Sequence, residues 1–210
     1  MTTGLRERRK QQTRQAISDI ATAMFAERGF DDVTIAQVAE AAGVAKMTVT
    51  NYFPRKEDLV FDRAEGIVRS LADVIKARAP GESLLAAIRR DFAERVARAD
   101  VTLGLSSPEF ARMIENSPAL ASRGLEMIYQ REQALGDAIA AETGVDDPRQ
   151  RLVAALLASV HRVLYSEASR RSQAGEPRAE ICAALADEAT RAFDLLEPSL
   201  GGYGIRPPAA

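Results

Sequence analysis

Apolar residues along this chain recur at intervals of three and four, and nowhere do they alternate with polar ones over the length of a strand. Ile17, Ile20, Ala21, Met24 and Phe25 form one stripe that stops at Gly29, with Phe30 placed to pack back onto the last turn. Further on, Leu152, Val153, Leu156, Leu157, Val160, Val163 and Leu164 make a broader apolar face. Ile181, Leu185, Ala189, Ala192, Phe193 and Leu196 repeat the spacing. The pattern predicts an all-α fold. Ser107-Pro108, Ser117-Pro118 and Asp147-Pro148 each set a capping side chain before a proline suited to the first helical position. Gly29, Gly43 and Gly144 mark helix ends. Nine helices are predicted, near residues 8–28, 35–42, 46–53, 56–79, 82–100, 108–116, 118–142, 148–173 and 177–197.

Helix length divides the chain. Three compact elements fall within residues 1–54, and Pro54 separates them from a roughly six-helix bundle over residues 55–197. Residues 198–210, with Gly-Gly and Pro-Pro pairs, have the composition of a flexible tail.

Within the small module, Thr34-Ile35-Ala36-Gln37 is a capping box that starts a short helix, which stops at Gly43. Val44-Ala45 then lead into Lys46–Phe53, so two short helices joined through a glycine form a helix-turn-helix. With Val49 inward, 100° per residue turns Phe53 inward as well. Met47 and Asn51 point away, and Lys46, Thr48, Thr50 and Tyr52 lie on the flanks. Such a polar face suits a major groove: asparagine can bond an adenine edge, threonine offers a hydroxyl and a methyl, and lysine or tyrosine can meet phosphates. A solvated helix surface has the same composition.

The chain has 210 residues, of which 46% are hydrophobic and 28% charged, with 28 Lys and Arg against 30 Asp and Glu for a net charge of −2. This mixture suits a globular protein, no segment approaches the ~18 apolar residues of a membrane span, and the basic start is not followed by a signal-peptide core. A cytoplasmic protein without membrane attachment is expected. Cys182, the one cysteine, cannot form an internal disulfide, and His161, the one histidine, leaves no Cys/His cluster for a metal and no Ser/His or Cys/His pair for nucleophilic catalysis. No cofactor is expected. Near-neutral charge is unfavourable for nucleic acid until its distribution is considered: Arg6, Arg8, Arg9, Lys10 and Arg14 face only Glu7 among the first 14 residues, and Lys46, Arg55 and Lys56 follow.

The run from Thr34 to Leu59, TIAQVAEAAGVAKMTVTNYFPRKEDL, resembles the DNA-binding signature of the TetR family of bacterial transcriptional regulators, with the motif covering about residues 10–60. The resemblance implies that Thr34 caps the first motif helix near a phosphate and that Lys46–Phe53 enters the major groove. It places Tyr52 and Lys56 on backbone phosphates. Base readout then falls to Met47, Thr48 and Asn51, with Lys46 on phosphate or base and Thr50 beside them. Three residues depart from the family pattern: Ala45 replaces a capping serine or threonine, Thr50 a frequent tyrosine, and Arg55 a small polar cap. The basic arm before Arg14 is a candidate for phosphate or minor-groove contacts, or else a solvated tail.

For the bundle, the resemblance implies effector binding and a homodimer formed through the last two helices, hence a near-palindromic double-stranded DNA operator. Phe92, Val96, Phe110, Met113, Met127, Tyr129, His161 and Tyr165 are the candidates to line an effector pocket, with Leu105 and Ile128 nearby; the same residues would serve as core. Arg89-Arg90 could meet an anionic head group or lie solvated on the surface. The expected function is a repressor released by a small apolar or amphipathic effector. The alternatives are a ligand-independent DNA-binding or helical interaction protein, and a helical enzyme using carboxylates such as Glu94, Glu126 or Glu132.

Overall fold

Ile17, Ala21 and Phe25, one helical turn apart on α1 (Thr2–Arg28), are fully buried in the computed structural model, which describes residues 2–144 and 147–207. Around them α2 (Ile35–Ala41) and α3 (Lys46–Tyr52) close a small core with Phe30, Val33, Val38, Val49, Phe53 and Leu59. The remaining helices are α4 (Ala64–Ala77), α5 (Leu84–Ala97), α6 (Pro108–Asn116), α7 (Pro118–Thr143), α8 (Pro148–Gln173) and α9 (Arg178–Leu200). Among the described residues the fold is all-α.

The chain divides into two compact units: Met1–Glu65 with Arg112–Gly124, and Gly66–Ala111 with Leu125–Ala210. The first therefore reaches past residue 54, and an ion pair between Arg123 and Asp58 (3.1 Å), both largely buried, ties in its later segment. In the second, α5 packs on α9 and α9 on α8. Leu71, Ile75, Leu85, Ile88, Phe92, Leu135, Leu157, Leu185 and Phe193 fill its core. Gly104, at φ +91°, lets the chain run against α8: a Cβ there would meet the Tyr165 carbonyl at 2.7 Å, and the Ser172 hydroxyl donates to the Gly104 carbonyl.

Four expectations change. α1 begins at Thr2 and not near residue 8, so Arg6, Arg8, Arg9 and Lys10 stand exposed on helical turns. The single helix expected over 56–79 is a 3₁₀ turn at Glu57–Leu59 followed by α4 from Ala64. Helix continuity fails there because α1 side chains take the carbonyls: Ser18 Oγ donates to Leu59 O (2.9 Å) and Arg14 Nη2 to Asp62 O (3.2 Å). The helix expected over 82–100 is shorter, starting after the Ser83 cap and ending at Ala97; beyond it Ala99 turns to φ +49° and Val101–Leu103 form a second 3₁₀ turn.

Finally, the flexible tail is ordered through residue 207, while Pro208, Ala209 and Ala210 lie outside the described residues. Pro198 sits inside α9, and Arg206 accepts from Gly81 N (2.8 Å) and donates its own N–H to Glu82 O (3.1 Å). The buried Arg78 guanidinium donates to Ile75 O (2.6 Å), Gly204 O (2.9 Å) and Glu142 (2.7 Å), so it clasps this segment from beneath and holds the Glu142 carboxyl below its usual value. A buried arginine with several orphan carbonyls in reach outweighs the loose composition.

Candidate nucleic-acid interface

The capping box at Thr34 is present: Gln37 N–H donates to Thr34 Oγ1 (3.3 Å) and Thr34 N–H to Gln37 Oε1 (2.8 Å). Gly43, at φ +64°, closes α2 and frees the chain to turn into α3. On α3 the faces fall as helical geometry requires. Val49 and Phe53 are fully buried; Lys46, Met47 and Asn51 are exposed, Met47 to 69%; Thr48, Thr50 and Tyr52 are half-buried. An exposed methionine beside an exposed lysine and asparagine, on a helix anchored at only two inward positions, leaves one polar-rimmed surface projecting from the unit. The Thr50 hydroxyl donates back to Met47 O (3.1 Å), which leaves its oxygen as an acceptor only. Ala45 gives α3 no side-chain cap, as its residue type dictates. At Arg55 the local bond runs the other way: its backbone N–H donates to Asp58 Oδ2 (3.2 Å).

Two cations hold this surface in place. Arg14 donates to Tyr52 O (2.6 Å) and lies over the Phe53 ring, 4.4 Å from its centroid, so it finishes the C-terminal turn of α3. Counted in sequence as part of a basic arm, Arg14 belongs with Ile17, Ser18, Ala21 and Phe25 on the inward stripe, and the three- and four-residue spacing already carries that signal. Lys56, expected on a phosphate, turns inward in the chain without DNA. Its ammonium donates to Phe30 O and sits 4.2 Å from the Phe30 ring centroid, with burial pulling it below the ordinary lysine value against the pull of Asp31, Glu57 and Asp32. Carbonyls past the end of α1 carry partial negative charge and hold a cation at that position.

In the second unit the effector candidates separate. Phe92, Val96, Met127 and His161 are buried, and Phe92 meets His161 edge-on at 5.1 Å and Phe193 at 6.1 Å. Phe110 is half-buried, Tyr165 is 38% exposed, and Tyr129, at 62%, faces outward, which removes it from an interior pocket. Met113 belongs to the first unit and not to this one. A cleft of about 140 Å³, bounded by Leu105, Pro108, Ser172, Arg178 and Ile181, includes none of the eight. Arg89 pairs at the surface with Asp194 and Glu197 (3.0 Å each), and Arg90 with Glu82 (2.9 Å) and Glu94 (3.3 Å), so both arginines already have carboxylate partners.

The polar residue that sequence reading passed over is Arg131. It follows Met127 and precedes Leu135 on the inward stripe of α7, is 7% exposed, and its Nε has no hydrogen-bond partner among the described residues. Burial and Arg95 pull its guanidinium below its ordinary value. His161, 4% exposed, is likewise unpartnered at Nε2, and burial, Arg131 and Arg95 push it well below the usual histidine range, so it is neutral. Among the described residues no helix is long and apolar enough to cross a membrane, and no group of three or more His, Cys, Asp or Glu could hold a metal ion.

A family model described as bacterial regulatory proteins, tetR family, matches residues 17–62. The chain is 30% identical over 172 residues to the HTH-type transcriptional regulator TcmR of Streptomyces glaucescens, covering 78% of this chain and 76% of that protein. Among solved structures, the SmeT–triclosan complex aligns with a TM-score of 0.57 at 16% identity, over 95% of this chain and 96% of that one. GusR of Salmonella enterica aligns with a TM-score of 0.55 at 20% identity, over 90% and 96%. At these identities the two structures speak for the fold.

Proposed function

The chain belongs to the TetR family of bacterial transcriptional regulators and is a DNA-binding regulator, and from that premise we propose that it is a repressor that holds a near-palindromic operator as a homodimer and releases it when a small effector binds. The observation that carries the reading is the projecting face of α3, where Lys46, Met47 and Asn51 are exposed above a buried Val49 and Phe53. In this reading Met47, Thr48, Thr50 and Asn51 meet base edges. Lys46, Tyr52 and the amide end of α2 at Thr34 meet phosphates. Arg14 and Lys56 act inside the module, setting the angle at which α3 is presented.

Dimerisation is supported by Leu152, Leu156 and Val163, which stand exposed on one face of α8 while Val153, Leu157, Val160 and Leu164 serve the intrachain core. Exposed apolar side chains that share one helix face suit a second copy. Two-fold pairing would present two recognition helices one helical turn of DNA apart, about 34–36 Å, or a multiple of it. An effector is supported by the fold: one relative of the same architecture is the SmeT–triclosan complex.

A mobility-shift series with the protein's own upstream DNA tests the reading. A shift that weakens steeply with salt is expected. No shift at low salt with any upstream fragment refutes it.

A further inference from the structure

Three helices of the second unit each carry a polar group on a stripe that should be apolar. On α7 the inward positions run Met127, Arg131, Leu135, Ala138, all buried; on α8 they run Leu157, His161, Leu164, Ala168, also buried; on α5, Phe92 abuts the His161 ring, and Arg95 lies one turn from it. A lone guanidinium in such a place is costly, since an unpaired charge taken from water loses hydration that only a counter-charge returns. Arg95 has its carboxylate, Asp91, at 2.7 Å. For Arg131 no ion pair is found among the described residues, and its Nε and the His161 Nε2 are both buried and unpartnered. The cluster thus holds one uncompensated positive charge beside a neutral imidazole able to present Nε2–H as a donor, with Phe92, Met127 and Leu157 as apolar surroundings.

We propose that Arg131 and His161 form the polar end of the effector site, and that the effector carries one carboxylate or equivalent oxyanion on an otherwise apolar body. The planar guanidinium matches a carboxylate through two N–H donors, the imidazole supplies a third, and the surrounding apolar side chains take the carbon skeleton. This rests on the reading of the protein as an effector-controlled regulator.

The test titrates the full chain calorimetrically with monocarboxylic acids, from hexanoate to dodecanoate and from benzoate to naphthoate. Each acid is paired with the primary alcohol of the same skeleton, and acetate and inorganic phosphate are titrated alone. At least one acid is expected to bind tenfold or more tightly than its alcohol, and Arg131→Met to abolish that preference. Independently of any probe, Arg131→Met is expected to raise the midpoint of thermal unfolding of the ligand-free protein, because methionine fills the site without a buried charge. A structural role for Arg131 would lower it instead. The proposal is overturned if acids and alcohols bind alike, if Arg131→Met keeps the preference, if acetate or phosphate binds as well as the larger acids, or if the variant melts lower. Wild-type protein that shifts its upstream DNA yet ignores every acid overturns this inference alone. Protein that shifts no DNA overturns the regulatory reading and this inference with it.

Discussion

The resemblance puts Lys56 on a phosphate, its ammonium in the DNA-free chain donates to Phe30 O, and Lys56→Met separates the two roles. Methionine keeps the length and apolar character of the lysine stem and removes only the ammonium, which donates to Phe30 O and lies 4.2 Å from the Phe30 ring centroid. A hydrogen bond to a charged donor contributes about 1.5–3 kcal/mol and a partly exposed cation–π interaction about 0.5–1. Against this, removing the ammonium also removes its burial penalty, which the lowered lysine value reveals, so a net loss of about 1–2 kcal/mol follows. For a chain of this size that is roughly 2–8 °C in the unfolding midpoint. The set of phosphates neutralised on DNA should not change. Fluorescence anisotropy with a labelled upstream fragment, run from low to moderate salt, gives the slope of log affinity against log salt, whose steepness drops by about 0.9 for each phosphate the protein no longer neutralises. Lys46→Met, at an exposed position, should flatten that slope with the melting midpoint unchanged, whereas Lys56→Met should lower the midpoint and leave the slope alone. If Lys56→Met flattens the slope as much as Lys46→Met and melts like the wild type, the internal role assigned to Lys56 is wrong.

His161 gives a pH prediction. It is buried neutral, with its value pushed well below 6.5, so beneath pH 6.5 the unfolded chain takes up a proton that the folded chain refuses. Stability should be flat above about pH 6.5 and fall between about 6.5 and 5.5 by up to ~1.4 kcal/mol per unit, measured by denaturant titration. His161→Leu should flatten that interval; an unchanged slope would mean another group titrates there. On α8, Leu152→Glu with Val163→Glu should leave the fold intact and halve the mass seen by light scattering, since both side chains are more than half exposed in the single chain. A dimer of unchanged mass would move the interface elsewhere. Ala45→Ser, by adding the missing cap to α3, should stabilise the protein by about 0.5–1 kcal/mol in thermal melts, and no gain would show that the turn geometry denies the hydroxyl its amide.

Helix ends in the small module were legible because their signals are local. The Thr34–Gln37 box, the Gly29 and Gly43 stops and the outward Met47 and Asn51 all depend on groups within a few positions along the chain, where spacing alone dictates geometry. Departures lie where a distant group supplied a competing partner. Ser18 and Arg14 take carbonyls 41 and 48 residues on and break the helix expected from 56, and Arg78 and Glu82 collect the tail.

By itself, then, the sequence determined an all-α chain with a helix-turn-helix near its start, a recognition face read from one inward valine, and a composition poor in the groups that nucleophilic and metal catalysis need. Tertiary structure alone decided which charges act where. Arg14, Lys56 and Arg131 are indistinguishable as cations in a string of letters, yet one clamps α3, one closes the end of α1 and one lies buried with its Nε unpartnered among the described residues. It also split the α8 face into Val153, Leu157, Val160 and Leu164 for the core and Leu152, Leu156 and Val163 for the outside. The physical reason is the same in each case: helical periodicity fixes which residues share a face, but burial, and the desolvation that makes a charge or an apolar side chain matter, depends on what packs against that face.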